Sequence, residues 1–195
     1  MDLNHTEVII VMDRSGSMEA IKSDMEGGLD QFFADQKKEP GRCTVTLTQF
    51  DDRYEVVYSG KDLKDVPKAA LEPRGMTALL DAVGKTINEV GDRLAKTKEK
   101  DRPGRVIFLI VTDGCENASH EFSHAQVKKM IEEQTSKYNW LFVYLGANQD
   151  AFAEANKLGI LIANNFVANS VGTQALYGNV SRGVSDYRGG RGYHN

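Results

Sequence analysis

The chain reads as an α/β protein built on a mostly parallel sheet with helices on both faces. Three observations predict this. Apolar runs of strand length, at 6–12, 106–111 and 140–145, alternate with amphipathic stretches of helix length. The run Val8-Ile9-Ile10-Val11-Met12 is apolar throughout, as a strand covered on both faces is. Pro40-Gly41, Pro103-Gly104 and Gly159 punctuate the joins between elements. Strands alternating with helices imply crossover connections and a parallel sheet.

The elements follow in order. Residues 6–12 form a first strand. Residues 18–38 form a helix, because Ile21, Met25, Leu29, Phe32 and Phe33 fall at helical spacing and Pro40-Gly41 stops it. Gly27-Gly28 weakens that helix and suits close packing on the sheet. Residues 43–50 and 53–58 form two strands joined at Asp51-Asp52, a tight hairpin at one edge of the sheet. Residues 61–75 connect, with Pro67 and Pro73, to a helix from Thr77 to Lys96. Its residues Leu80, Val83, Ile87, Val90 and Leu94 make one apolar stripe. Residues 98–105 are a charged loop, and 106–111 a strand. Ser123-His124-Ala125-Gln126 is a capping box for a helix with Val127, Met130, Ile131 and Tyr138 inward. A strand at 140–145, a short helix at 150–158, a weak strand at 161–163 and a helix capped by Ser170 and running to Tyr187 complete the domain. Residues 1–187 are read as one domain, and 188–195 as a Gly-rich flexible tail.

Bulk properties exclude several functions. The 195 residues suit one domain with a sizeable core. A net charge of −4 argues against nucleic acid as the main partner, since phosphate binding favours a basic face. No apolar stretch reaches the roughly 18 residues of a membrane helix. Met1-Asp2-Leu3-Asn4-His5 lacks the pattern of an export signal. Cys43 and Cys115 fall at opposite ends of strands, on the order of 20 Å apart and too far for a bridge. Reduced thiols without an export signal lead us to expect a cytoplasmic protein.

Chemistry concentrates in three fragments. Asp13-Arg14-Ser15-Gly16-Ser17 follows the first strand, Gly75-Met76-Thr77 opens a helix, and Thr112-Asp113-Gly114 follows the 106–111 strand. Asp13, Ser15, Ser17, Thr77 and Asp113 offer only oxygen, which suits a hard divalent cation such as Mg²⁺, with Mn²⁺ or Ca²⁺ as alternatives. The competing reading is that Ser15 and Ser17 cap a helix and Asp113 caps a turn.

The spread Asp-x-Ser-x-Ser, Thr, Asp resembles the metal-ion-dependent adhesion site of von Willebrand factor A (vWA) domains, and the resemblance covers roughly residues 6–187. It implies a Rossmann-like, six-stranded sheet of order 3-2-1-4-5-6 with the third strand antiparallel. The order then reverses between the first strand and the 106–111 strand, where ligands of open α/β sheets bind. It further implies that Ser15, Ser17 and Thr77 coordinate Mg²⁺ directly, while Asp13 and Asp113 act through water or by hydrogen bonds to the hydroxyls. Neutral hydroxyls leave the ion's charge poorly neutralised, so a Glu or Asp of another protein is the expected completing ligand. The expected role is an intracellular, stand-alone adaptor or scaffold that binds neither nucleic acid nor membrane. A structural subunit of a cellular or viral assembly is the alternative.

Other residues hold two readings each. Arg14, Asp51, Asp52, Arg74 and Glu116 either form a partner-binding rim or are ordinary turn and surface residues. His120 and His124 are four apart but separated by the capping box, which argues against zinc. A Mg²⁺-dependent phosphotransfer enzyme would use Asp13 as nucleophile. It would also want a second acid where Ser15 stands, and no phosphate-binding loop or nucleophile elbow is present. The chain is therefore not expected to be an enzyme.

Overall fold

A computed structural model describes residues 1–147 and 150–193. The chain runs β1 (Asp2–Asp13), α1 (Lys22–Gln36), β2 (Arg42–Phe50), β3 (Tyr54–Asp62), α2 (Leu79–Lys96), β4 (Pro103–Thr112), α3 (His124–Tyr138), β5 (Leu141–Ala147), α4 (Ala151–Lys157), β6 (Ile162–Phe166) and α5 (Ser170–Arg188). The sheet has the order β3-β2-β1-β4-β5-β6. Among the described residues, only β2 and β3 pair antiparallel. This is the expected topology.

The two-residue period of β1 divides the core. Val8, Ile10 and Met12 pack with Met25, Leu29 and Phe32 of α1 and with Leu176, Tyr177 and Val180 of α5. Ile9 and Val11 pack on the other face with Val83 and Ile87 of α2 and Val127 and Ile131 of α3. Every one of these side chains is nearly inaccessible to water, so both faces of the sheet are sealed. No described helix is long and apolar enough to cross a membrane.

Several elements differ from the sequence reading. The 18–38 helix begins as a tight 3₁₀ turn, Gly16–Ile21, and becomes α-helical only at Lys22. Gly28 serves α5 rather than the sheet, since a Cβ there would lie 2.2 Å from the ring of Tyr177. Strand β4 extends back through the expected 98–105 loop to Pro103, where Gly104 lies against the backbone of Asp2. The Ser123–Gln126 capping box forms, but Tyr138 is 61% exposed instead of inward. Asn169, not Ser170, caps α5 by accepting from the Gly172 N–H at 2.8 Å. Ser170 Oγ instead donates to Asp24.

Helix α5 runs one residue past the expected boundary, and Arg188 is buried. Its guanidinium donates to Gln36 O at 2.7 Å and Gln36 Oε1 at 3.0 Å, and to the carbonyls of Pro40 and Gly41. Tyr193, expected in a free tail, packs partly buried against the α1/α5 side of the core. Residues 194–195 lie outside the described chain.

Candidate metal centre

Strands β1 and β4 are parallel neighbours, with Met12 opposite Val111, so their carboxyl ends open on the same edge. Asp13 closes β1 and is fully buried. Its Oδ1 accepts from the Ser15 N–H at 2.6 Å, and its Oδ2 accepts from Thr112 Oγ1 at 2.6 Å. This bends the chain after β1 and brings Ser15 and Ser17 together, their hydroxyls 3.1 Å apart. Ser17 Oγ then donates to Asp113 Oδ1 at 2.6 Å, across 96 residues of sequence. Thr77 joins from a third segment. A Cβ placed on Gly114 would lie 3.3 Å from Thr77 Oγ1 and 3.9 Å from Ser17 Oγ. All five residues singled out as ligands therefore gather at the β1/β4 edge.

Electrostatics marks the same spot. Burial pushes the Asp13 carboxyl up to about 6, against the hydrogen bonds from Thr112 and Ser15, and the nearby Asp113 adds to the rise. Burial also raises Asp113, opposed by the Ser17 hydrogen bond. A divalent cation beside these carboxylates would reverse both effects by favouring the ionised forms. Among the described residues, no three His, Cys, Asp or Glu side chains gather into a metal-binding group. The donors here are two carboxylates and three hydroxyls. That set fits a hard cation that keeps water in its shell, and it suits neither zinc nor a soft metal.

The five expected rim residues divide. Arg14 and Asp51 are buried, at 4% and 0% exposure, so neither forms an accessible rim and Asp51 is no solvated turn. The Arg14 guanidinium meets Asp51 Oδ2 at 3.0 Å and Glu55 at 2.6 Å. Asp51 Oδ2 also accepts from Arg74 Nε at 2.8 Å, and Oδ1 accepts from the Arg53 N–H at 2.6 Å. Burial works against the charge on Asp51, but the bonds from Arg74 and Arg53 and the charge of Arg14 outweigh it and hold the carboxyl below its ordinary value. Asp51 O further accepts from the Ala78 N–H, next to Thr77. The acid the sequence offered as a surface feature is thus an internal brace. Arg74 remains half exposed, and Asp52 is exposed. Asp52 Oδ1 occupies the place a Cβ on Gly75 would take, and Gly75 has φ +68°, a conformation that favours glycine.

Glu116 points inward. Its carboxylate accepts from the Leu80, Ala118 and Ser119 N–H groups and from Ser119 Oγ, all within 2.9 Å. Sequence reasoning missed Asn117, Ser119 and Asp81. Asn117 clasps the backbone of Thr77 on both sides, donating its N–H to Thr77 O at 3.0 Å and accepting from the Thr77 N–H through Oδ1 at 2.9 Å. Asp81 accepts from three successive N–H groups, of His120, Glu121 and Phe122, at 2.8–2.9 Å. The one local signal was the missing cap. Ala78 precedes α2 and offers no side-chain acceptor, so the helix must find partners elsewhere.

No family profile matches the chain, and no curated protein matches it. Solved structures do resemble it. Proximal thread matrix protein 1 from the mussel byssus superposes with a TM-score of 0.67 at 15% identity, over 91% of this chain and 45% of that one. The von Willebrand factor type A protein from Catenulispora acidiphila gives 0.61 at 16% identity, over 93% of this chain and 42% of that one. The ArnB paralog VWA2 from Sulfolobus acidocaldarius gives 0.57 at 16% identity, over 92% and 44%. The chain spans less than half the length of each. At this identity the likeness concerns the fold. Together with the strand order, it establishes a Rossmann-like vWA fold for this chain.

Proposed function

We propose that this chain is a Mg²⁺-dependent protein-binding module of the vWA type that acts as an adaptor or scaffold. The observation that carries the reading is the convergence of Ser15, Ser17 and Thr77 hydroxyls with Asp13 and Asp113 at the β1/β4 edge. Ser15, Ser17 and Thr77 would hold the ion, with Asp13 and Asp113 orienting the hydroxyls and the water around it. A cation held mainly by neutral hydroxyls keeps most of its charge, and a Glu or Asp of a partner protein supplies the missing anion. Asp13 is a poor phosphotransfer nucleophile, because it is buried and both of its oxygens already accept hydrogen bonds. That favours binding over catalysis.

The test is thermal unfolding in EDTA, Mg²⁺, Mn²⁺ and Ca²⁺, followed by capture of binding proteins with and without EDTA. A cation at a hundredfold excess over Kd stabilises the folded state by about 2.7 kcal/mol. The shift and the EDTA-sensitive capture are both expected to vanish in Thr77→Ala. A wild type that responds to none of the ions at millimolar concentration, and captures proteins equally in EDTA, refutes the reading.

A further inference from the structure

Thr77 sits in an awkward place for a ligand. It lies in the irregular segment before α2, two residues short of the first helical residue. Its backbone is buried, and neither helix nor sheet supplies its hydrogen bonds. The segment 116–122 supplies them instead, and it also caps the helix that follows.

Three N–H groups at the start of α2 find acceptors on three side chains of this one segment. Thr77 N–H donates to Asn117 Oδ1 at 2.9 Å, Leu80 N–H to Glu116 Oε2 at 2.9 Å, and Asp81 N–H to Ser119 Oγ at 3.1 Å. The traffic also runs the other way. Asp81 receives the N–H groups of 120, 121 and 122, and Thr77 O receives that of Asn117. The segment begins three residues after Asp113. The clasp therefore couples the hydroxyl at one end of the site to the carboxylate at the other through groups that touch neither.

We propose that Asn117 is a positioning residue of the cation site: its side-chain oxygen, accepting from the Thr77 N–H, sets the distance between Thr77 Oγ1 and Asp113, and so sets the affinity for the ion. This rests on the cation reading above. Asn117 is exposed at the surface, and its side chain reaches back to accept from the Thr77 N–H. The Thr77 N–H would otherwise be a buried donor without a partner, which a backbone shift would relieve. A shift of a few tenths of an ångström matters to Mg²⁺, which demands near-ideal octahedral geometry.

The experiment titrates metal-free wild type, Asn117→Ala and Asn117→Asp with MgCl₂ by calorimetry, alongside thermal unfolding and amide exchange in EDTA. Asn117→Ala is expected to weaken Mg²⁺ binding at least tenfold, as loss of groups that orient metal ligands typically does. Its metal-free Tm should fall by no more than about 4 °C, the worth of one hydrogen bond in a domain of this size. Exchange of the Thr77 amide should quicken. Asn117→Asp keeps the acceptor oxygen and should restore both affinity and amide protection. Wild-type affinity in Asn117→Ala, unchanged Thr77 exchange, or failure of Asn117→Asp to rescue would each overturn the proposal while leaving the cation reading intact. A wild type that binds no Mg²⁺ overturns both.

Discussion

Replacing Asp13 by Asn separates a carboxylate that serves the fold from one that awaits a cation. In the metal-free protein, burial lifts this carboxyl from 3.8 to about 6. At about 1.4 kcal/mol per pKa unit, holding it ionised at pH 7 costs the fold about 3 kcal/mol. Asn removes that cost and keeps an oxygen for the Ser15 N–H. Its amide must then face Thr112 Oγ1, which now donates to Asp13 Oδ2. Thr112 can turn its proton to Gly114 O, 3.1 Å away, and accept from the amide. Allowing about 1 kcal/mol for that rearrangement leaves a net gain of about 2 kcal/mol, or a Tm rise of about 4–8 °C.

The sign with pH follows from the raised value. Protonated Asp13 favours the folded state, so this group's contribution is fully present below pH 3.8 and is lost as pH rises through about 6. Wild type and Asp13→Asn should therefore converge in Tm near pH 4 and separate up to pH 7, measured in EDTA. In saturating Mg²⁺ the order reverses, because only wild type gains the binding energy. The assay is a Tm matrix of two proteins, four pH values and two metal conditions. If Asp13→Asn is less stable than wild type in EDTA at pH 7, the protein itself already compensates the buried charge, and the argument that this carboxylate is built for a cation fails.

Further perturbations follow from the same structure. Asp51→Ala takes from buried Arg14 its buried counter-charge, leaves it the half-exposed Glu55, and should cost about 1–3 kcal/mol in denaturant titration. Because Asp51 and Asp81 are both held below their ordinary values, the stability they contribute is present above pH 4 and is lost as acid titration passes below it. Asp51→Ala should flatten that limb of the acid-unfolding curve, and an unchanged limb would refute the assignment. Gly28→Ala should cost about 1–3 kcal/mol through its clash with Tyr177, whereas Gly27→Ala, which meets nothing within 4 Å, should stabilise α1 by up to about 1 kcal/mol. Arg188→Ala strips donors from the end of α1 and should lower stability by about 1–3 kcal/mol, where a free tail would give no change.

The fold was legible because its signals are local. Runs such as 8–12 and 106–111 can be buried only as central strands, and the stripe from Leu80 to Leu94 fixes one helix face. The five candidate ligands were legible for a related reason: each stands where an apolar strand or helix abruptly yields oxygen-bearing side chains. The supporting residues were not legible, because their role depends on partners up to 41 residues away that no pattern pairs with them. Asp51 in a hairpin and Glu116 in a loop are polar residues at turns, which sequence logic sends to the surface. The structure turns both inward, where Glu116 accepts backbone N–H groups beside the site and Asp51 pairs with the buried Arg14. Both brace the backbone that follows Thr77, Asp51 through Ala78 and Glu116 through Leu80. Of the five expected rim residues, Arg74 is half exposed and Asp52 exposed. On the proposed reading, selectivity for an acidic partner comes from the cation, which makes EDTA sensitivity the property on which that reading turns.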